Sequence, residues 1–263
     1  MKKILCLLLL FLATFANAEL ILYWNMDEGS GNTLADSATN SNAYTGTMLN
    51  MSSNDWVNGI SGKALDFDGV NDYVINNNGP ALGNEIFGSG HDGTVSYSIW
   101  FYARSSGVIV DEVNETGAWH DSQIEILSTG EVKARVWSVL AVSLGTVSFN
   151  AWHHAILRYN KSTNTLDGFI DGTEASSDVT GSRTDPYNYS GHAFYPLGKA
   201  DTTSLGDGSY FNGILDEFRI YNHALSTAEV QELYNNPAEV PEPASIALFL
   251  TGTILCIFYF KKN

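Results

Sequence analysis

Cysteine is scarce in this sequence. The 263 residues contain two, Cys6 and Cys256, and each lies in an apolar segment at one end of the chain. The sequence between these two segments has no cysteine, which excludes an intramolecular disulfide there. Side-chain packing or a bound metal must therefore stabilise this part of the protein.

Basic residues are also few. The chain has 13 Lys and Arg residues against 29 Asp and Glu residues, and its formal net charge is −16. Nine of the basic and 28 of the acidic residues lie between positions 19 and 240, so that part carries a formal charge of −19. Such a surface repels the phosphates of nucleic acid, and we exclude that class of partner. The same charge suits solubility outside the cell and cation binding.

Catalytic motifs are missing as well. There is no Gly-x-Ser-x-Gly elbow, no metalloprotease helix and no phosphate-binding loop. The nearest approach to paired catalytic carboxylates is Asp-Glu-Val-Asn-Glu at 111–115, whose end indicates a turn. His153 and His154 are neighbours on a predicted strand, so they point to opposite sides and cannot bind one metal. We expect a protein that is not an enzyme.

Long apolar runs occur only at the two ends of the chain. At the N-terminus, two lysines, an apolar stretch and Ala-Asn-Ala at 16–18 indicate a signal peptide over residues 1–18, with the mature chain starting at Glu19. At the C-terminus, the apolar run 244–260 has the minimum length for a membrane-spanning helix, and two lysines follow it. Residues 19 to about 240 are therefore expected outside the cytoplasm.

A proline motif precedes the C-terminal apolar run. Pro241, Glu242 and Pro243, then the span and the terminal lysines, resemble the PEP-CTERM sorting signal of Gram-negative bacteria. This resemblance covers residues 237–263. It implies an exosortase-type protease as partner, membrane anchoring, and delivery to the cell surface or extracellular matrix. The alternative is an ordinary C-terminal membrane anchor.

The middle of the chain consists of short apolar or alternating runs separated by Gly, Asn and Asp turns. This pattern predicts an all-β sandwich or barrel. The predicted strands are 20–24, 64–67, 73–75, 96–103, 107–110, 123–127, 132–137, 153–159, 165–170, 193–197 and 213–221. One helix is predicted after them, because Ser226 and Glu229 form a capping box and Val230, Leu233 and Tyr234 mark one helical face. We expect it to pack at one end of the sandwich.

Five sequence motifs occur in series through this region. Segments 23–31, 62–74, 96–101, 151–155 and 211–226 together resemble the laminin-G-like, or pentraxin-like, branch of the concanavalin A-like lectin/glucanase superfamily. The resemblance implies a two-sheet antiparallel jelly-roll sandwich over residues 19–236, with one short C-terminal helix.

Strand spacing also predicts which residues form the core and where one tight turn lies. The residues expected between the two sheets are Phe67, Tyr73, Trp100, Trp152, Phe218 and Ile220. We further expect Asp68 and Asp72 to bond backbone amides in a tight turn, and the strand at 216–221 to pair near the first strand.

The resemblance implies one structural calcium ion, near the place where the first and last strands meet. Asp27, Glu28 and Asp216 are the candidate ligands, with Asn25 as a carbonyl donor. Alternatively, these acids cap turns and face water. No linear calcium loop of the Asp-x-Asp-x-Asp-Gly type occurs in the chain.

Lectins of this fold bind sugars on a concave sheet or on the loops at its rim. In two loops of this chain, Trp119 and Tyr187 or Tyr189 would stack on sugar rings, while Asp121 and Asn188 would bond hydroxyl groups. The alternative is that these aromatics cover the edge of the core.

The family and the tail together lead to an expected function. We expect an exported, surface-displayed, non-catalytic carbohydrate-binding or adhesion module, associated with a polysaccharide matrix. One alternative is a glycoside hydrolase of the same fold class, which needs paired carboxylates about 5 to 9 Å apart in a groove. Another is a structural matrix protein without a specific ligand.

Overall fold

The computed structural model describes eight segments of the chain: residues 19–38, 43–88, 90–114, 123–136, 139–182, 193–194, 196–200 and 208–239. In chain order, the strands in these segments are β1 (Leu20–Trp24), β2 (Thr33–Leu34), β3 (Gly46–Leu49), β4 (Trp56–Asn58), β5 (Lys63–Asp68), β6 (Tyr73–Asn76), β7 (Val95–Ala103), β8 (Gly107–Val110), β9 (Val113–Asn114), β10 (Ile124–Ile126), β11 (Glu131–Ala134), β12 (Val142–Thr146), β13 (Trp152–Asn160), β14 (Thr165–Ile170), β15 (Thr173–Glu174), β16 (Val179–Thr180), β17 (Ala193–Phe194) and β18 (Asn212–Tyr221). The helices are α1 (Gly79–Phe87) and α2 (Thr227–Asn235), and a 3-10 turn covers Ser53–Asp55.

One layer of the fold is a nine-stranded antiparallel sheet, called here the long sheet. Its order is β15-β14-β13-β7-β18-β5-β4, with β1 also on β18 and β16 also on β14. The last strand, β18, pairs with β7 along one side and with β5 and then β1 along the other. The predicted meeting of the first and last strands is thereby confirmed.

The second layer is built from shorter strands. Its four-stranded part, β12-β11-β10-β8, is called here the short sheet, and β2-β3-β6 forms a three-stranded part beside it. Leu197 makes isolated bridges to both Val74 and Val110, which joins the two parts. Strands β9 and β17 form a separate pair.

Alternating side chains from both layers form one apolar core. On β7, Tyr97, Ile99 and Phe101 point inward, and they share this core with Ile124 and Val132 of the short sheet. Burial of one face of each sheet is what holds two antiparallel sheets together. The predicted all-β sandwich of antiparallel sheets is confirmed.

Three of the six residues predicted between the sheets lie elsewhere. Phe67, Phe218 and Ile220 belong to the core. Tyr73 is only half-buried because its neighbour Val74 takes the inward position. On β7 and β13 the odd-numbered residues point into the core. Trp100 and Trp152 have even numbers, so both lie on the outer face of the long sheet.

Helix α2 lies on that outer face, and not at one end of the sandwich as the sequence predicted. Its buried residues, Val230 and Leu233, join a second apolar cluster with Ile156, Phe169 and Tyr221 of the long sheet. The helix therefore covers apolar side chains that would otherwise face water.

The N-terminus of α2 is capped as predicted. The Ser226 hydroxyl accepts the Glu229 N–H at 3.3 Å, and Glu229 Oε2 accepts the Ser226 N–H at 2.7 Å. Hydrogen bonding to His223 and Ser226 outweighs the effect of burial and lowers the pKa of Glu229 to about 2.

Helix α1 was not among the predicted elements, which included one helix only. Asn78 caps this helix by accepting the Ala81 N–H, and a proline follows in its first turn. Leu82 and Ile86, at i and i+4, bury its apolar side in the core. The prediction of a single short helix was therefore wrong, since the described residues contain two helices, α1 and α2.

The first and the last described residues, Glu19 and Glu239, both bond at the same pair of strands. The Glu19 N–H donates to Asn222 Oδ1 at 2.9 Å, and the Asn222 N–H donates to the Glu19 carbonyl at 3.1 Å. At the other end, the buried Arg219 donates to the carbonyls of Pro237 and Glu239 at 2.5 and 3.3 Å. The hydrogen bonds of Glu19 and those of Arg219 are thus both made at the β1–β18 pair of the long sheet.

Candidate functional site

The outer face of the short sheet carries a row of polar side chains. On β10, Ile124 and Ile126 point into the core, so Glu125 points away from it. Glu125 pairs with Lys133 of β11 on one side and with Val108 of β8 on the other, and Lys133 pairs with Ser143 of β12. We call this surface the polar face.

Several polar groups at the polar face are buried. Glu125 and Gln123 have no exposed surface, and Asp111 and Glu112, at the end of β8, are 0% and 1% exposed. Burying a carboxylate costs free energy unless hydrogen bonds satisfy it. Glu125 Oε1 accepts the Gly208 N–H at 3.2 Å, and Asp111 Oδ1 accepts the Glu112 N–H at 2.8 Å.

Three chain segments that precede or follow residues of this region lie outside the described residues. Segment 115–122 lies between Asn114 of β9 and Gln123. Segment 183–192 ends at Ala193, which pairs with Asn114. Segment 201–207 ends at Gly208, which donates to Glu125. The predicted sugar-binding residues, Trp119, Asp121, Tyr187, Asn188 and Tyr189, all fall in the first two segments, outside the described residues.

The residues of the polar face were not predicted as a site. Strands 123–127 and 132–137 were predicted from their apolar residues, and the polar residues between these had no predicted role. The signal was the alternation of Gln123 and Glu125 with isoleucine, and of Lys133 and Arg135 with small apolar residues. Alternation identifies an outward face, but it does not reveal that Gln123 and Glu125 would be buried there.

Two of the predicted calcium ligands meet at the turn between β4 and β5. Asp216 Oδ2 accepts the N–H groups of Ile60 and Ser61 at 2.9 and 3.2 Å. Asp27 Oδ1 accepts the Lys63 N–H at 2.7 Å. Residues far apart in sequence thus place two carboxylates on one turn.

Glycine makes this approach of the carboxylates possible. A Cβ atom at position 59 would lie 2.2 Å from Asp216 Oδ2, and one at position 62 would lie 2.0 Å from Asp27 Oδ1. Gly62 also has a φ of +60°, which L-residues rarely adopt. The third predicted ligand, Glu28, bonds a different backbone group, because its Oε1 accepts the Ala35 N–H at 2.7 Å.

Asp216 is strongly perturbed by its surroundings. It is fully buried, and burial first and the neighbouring Glu217 second raise its pKa to about 8. A β-bulge between Asp216 and Arg219 leaves Glu217 with a φ of +56°. Burial also raises the pKa of Glu217, although Arg219, 2.7 Å from its carboxylate, opposes this effect.

The donor chemistry at this turn fits calcium. Asp216 Oδ1 and Glu28 Oε2 are buried carboxylate oxygens that accept no hydrogen bond from the described residues, and calcium binds carboxylate and carbonyl oxygens. In the part of the chain described here, however, no three His, Cys, Asp or Glu side chains converge as a metal-binding group. A cation at this turn would therefore need backbone carbonyls and water to complete its coordination.

The predicted targeting segments lie outside the described residues. They are the signal peptide at 1–18, the motif of Pro241, Glu242 and Pro243, and the apolar segment 244–260. Neither helix within the described segments has the length and apolar character needed to cross a bilayer.

Comparison with known families gives one match over more than half of the chain. A laminin-G model, described as "Concanavalin A-like lectin/glucanases superfamily", matches residues 67–231. No curated protein matches the sequence.

Solved structures share the fold at low sequence identity. Domain 4 of AbnA, a GH43 extracellular arabinanase from Geobacillus stearothermophilus in complex with arabinotriose, is 17% identical with a TM-score of 0.52, and the match covers 82% of this chain and 98% of that one. The binding domain of botulinum neurotoxin serotype D/C VPI 5993 is 13% identical with a TM-score of 0.57, covering 82% and 52%. Trypanosoma rangeli sialidase in complex with sialic acid is 10% identical with a TM-score of 0.56, covering 82% and 32%.

Proposed function

Because the chain belongs to the concanavalin A-like lectin/glucanases superfamily, we propose that it is an exported, non-catalytic carbohydrate-binding or adhesion module. The observation that carries this proposal is the polar face, where Glu125 and Gln123 are buried outside the apolar core. Burying polar groups costs stability unless they are paired, so polar side chains kept outside the apolar core make this face a candidate binding surface.

Two further points support a carbohydrate as the ligand. The arabinanase domain, which this chain matches over nearly its whole length, was solved with arabinotriose. The predicted stacking residues Trp119, Tyr187 and Tyr189 belong to segments 115–122 and 183–192, which adjoin Asn114, Gln123 and Ala193 in the chain. Aromatic side chains with nearby amides and carboxylates are what a sugar ring and its hydroxyls require.

We propose calcium as a structural ligand of this module. Asp216 and Asp27 would hold it, with Glu28 and the Asn25 carbonyl as the other predicted donors. When bound, the cation would balance the buried charge of Asp216, whose Oδ1 accepts no hydrogen bond from the described residues. Its role would be to stabilise the fold.

The proposed location of the protein rests on the two ends of its sequence. The signal peptide at 1–18 would export the protein, and the PEP-CTERM-like tail at 237–263 would be recognised by an exosortase-type protease at the membrane of a Gram-negative bacterium. Replacing Pro241, Glu242 and Pro243 by alanine should retain the protein in the membrane fraction. Unchanged transfer to the surface fraction would contradict the sorting proposal.

A glycan array tests the main proposal. Full-length protein in mild detergent is applied with and without chelator, and arabinotriose and sialylated glycans are included as probes. Trp119→Ala and Tyr187→Ala should each weaken binding about tenfold, the usual effect of removing an aromatic anchor. Lys133→Met, on the polar face, should also weaken it, whereas Lys161→Met, on the β13–β14 turn, should not.

Other results would favour the alternatives. Binding to no glycan would contradict the lectin proposal and favour a structural matrix role. Release of reducing sugar, lost in Glu112→Gln or Glu115→Gln, would favour a glycoside hydrolase. Glu112 is buried at the end of β8, and Glu115 lies outside the described residues.

A further inference from the structure

Helix α2 covers only part of the outer face of the long sheet. It starts next to β7 at Ser96, whose hydroxyl accepts the Leu225 N–H at 3.1 Å. It ends where Tyr234 stacks on Trp100 of the same strand. The next outward residue of β7, Tyr102, therefore lies beyond the end of the helix.

Tyr102 belongs to a row that crosses three strands. It pairs with Ile214 of β18 on one side and with Trp152 of β13 on the other. All three side chains are half-buried, whereas Trp100, one row closer to the helix, is 6% exposed. We call Ile214, Tyr102 and Trp152 the aromatic row.

The two rings of the aromatic row are arranged edge to face. Their centroids lie 6.0 Å apart and their planes are inclined by 64°. Unlike the parallel stack of Tyr234 on Trp100, an edge-on pair leaves at least one ring face uncovered by the other ring. Both side chains are half-buried, so part of their ring surface is exposed on the outer face of the sheet.

Hydrogen-bonding groups lie on and beside the aromatic row. Neither the Tyr102 hydroxyl nor the Trp152 indole N–H bonds any atom of the described residues. Beside the row, Arg104 donates to both oxygens of Asp66 at 2.6 and 2.8 Å, and to Asn212 Oδ1 at 3.4 Å. The Asn212 amide N–H groups remain available to a ligand, and the Arg104–Asp66 pair has no net charge.

We propose that the aromatic row is a second carbohydrate-binding surface, and that its ligand is a neutral polysaccharide. A sugar ring packs its C–H groups on an aromatic face and needs donors and acceptors at its edge, which Tyr102, Trp152 and Asn212 provide. The strongly acidic chain repels polyanionic glycans. A purely apolar partner would leave the two free ring donors unpaired, at a cost in affinity.

This inference rests on the proposed carbohydrate function but uses different residues. The polar face lies on the outer side of the short sheet, and the aromatic row lies on the outer side of the long sheet. The two surfaces therefore point in opposite directions across the sandwich. One molecule that binds polysaccharide at both surfaces links two polysaccharide chains.

Affinity electrophoresis of the full-length protein tests the inference. The gels contain linear arabinan, galactomannan or a neutral β-glucan. Changing both Tyr102 and Trp152 to alanine should weaken retardation by at least one of these polymers about tenfold. Tyr102→Phe with Trp152→Phe, which keeps two aromatic rings and removes the two ring donors, should weaken retardation less than the alanine variant does. Melting curves identify any variant that does not fold.

The outcomes separate the two binding surfaces. If the folded alanine variant binds every polymer as the wild type does, the second surface is refuted, whatever happens at the polar face. If the phenylalanine variant loses as much affinity as the alanine variant, ring stacking is refuted. If Glu125→Gln alone changes binding, the proposed function stands and the aromatic row does not. Absence of any retardation refutes the aromatic row as a surface for these neutral polysaccharides, whereas the glycan array decides the proposed function separately.

Discussion

Tyr234 of α2 lies parallel to Trp100 of β7, with ring centroids 5.6 Å apart and planes inclined by 8°. Trp100 also stacks on His154, at 4.9 Å and 20°. The helix is thus attached to the middle of the long sheet by aromatic stacking as well as by its apolar side, Val230 and Leu233.

Tyr234→Ala should detach the end of α2 from the sheet. We expect a loss of roughly 1–3 kcal/mol in the free energy of unfolding, because the stack and its buried area both disappear. Urea unfolding of the variant measures this loss. Asn235→Ala, at the adjacent exposed position, is the matched control and should change stability by less than about 0.5 kcal/mol. Equal effects of the two changes would contradict the role of the stack.

His154 makes the fold sensitive to acid. It is buried beneath α2, and burial, reinforced by Arg219, lowers its pKa to about 3. Because the folded protein resists protonation here while the unfolded chain takes up the proton near pH 6.5, stability falls as the pH drops from about 6.5 towards 3.

The variant His154→Gln removes this titration and keeps a partner for the Ser98 hydroxyl, 2.9 Å from His154 Nε2. Its unfolding free energy should fall less steeply than that of the wild type below pH 6.5, by up to about 1.4 kcal/mol per pH unit. Chemical unfolding between pH 4 and 8 provides the comparison. Parallel curves for the two proteins would show that His154 does not contribute to the acid dependence.

Asp216→Asn distinguishes a calcium-bound fold from a calcium-free one. Without a cation, the raised pKa of Asp216 means that wild-type stability decreases as the pH rises from about 4 to 8, since the folded state holds the proton more tightly. The asparagine variant lacks this decrease and should melt higher than the wild type at pH 8 in chelator.

In the presence of calcium, the wild type should melt at a higher temperature than the asparagine variant. The wild type should melt higher in calcium than in chelator, because a ligand that binds only the folded state stabilises it. The asparagine variant should lose most of this difference, and Glu232→Gln, on the exposed side of α2, should keep it. A wild-type melting temperature that is unchanged by chelator would refute the calcium proposal.

Most of the long sheet could be predicted from sequence, because its strands are long and apolar. Side-chain direction was harder to predict on β7, where Ser96, Ser98 and Trp100 are buried under α2 as fully as the core residues on the other face. When both faces of a strand are covered, polar and apolar residues no longer alternate, and the core face cannot be read from the pattern. Two-residue strands such as β2 and β15 carry too little pattern to be recognised.

The turn with Asp27 and Asp216 and the polar face also differed in how far they could be predicted from sequence. Asp27 and Asp216 could be grouped from sequence, because the family resemblance implied a calcium site near the place where the first and last strands meet. The burial of Glu125 depends on groups far away in sequence, such as Gly208, and no local pattern reveals it. Long-range covering of a polar side chain is therefore the property that sequence reasoning missed.

The bonds from Arg219 to the carbonyls of Pro237 and Glu239 have a mechanical consequence. A pulling force on the chain beyond Glu239 reaches the sandwich first through this buried guanidinium. From there it passes into β18, which is hydrogen-bonded along both sides. The load is thus shared by several neighbouring strands and does not peel α2 away from its end.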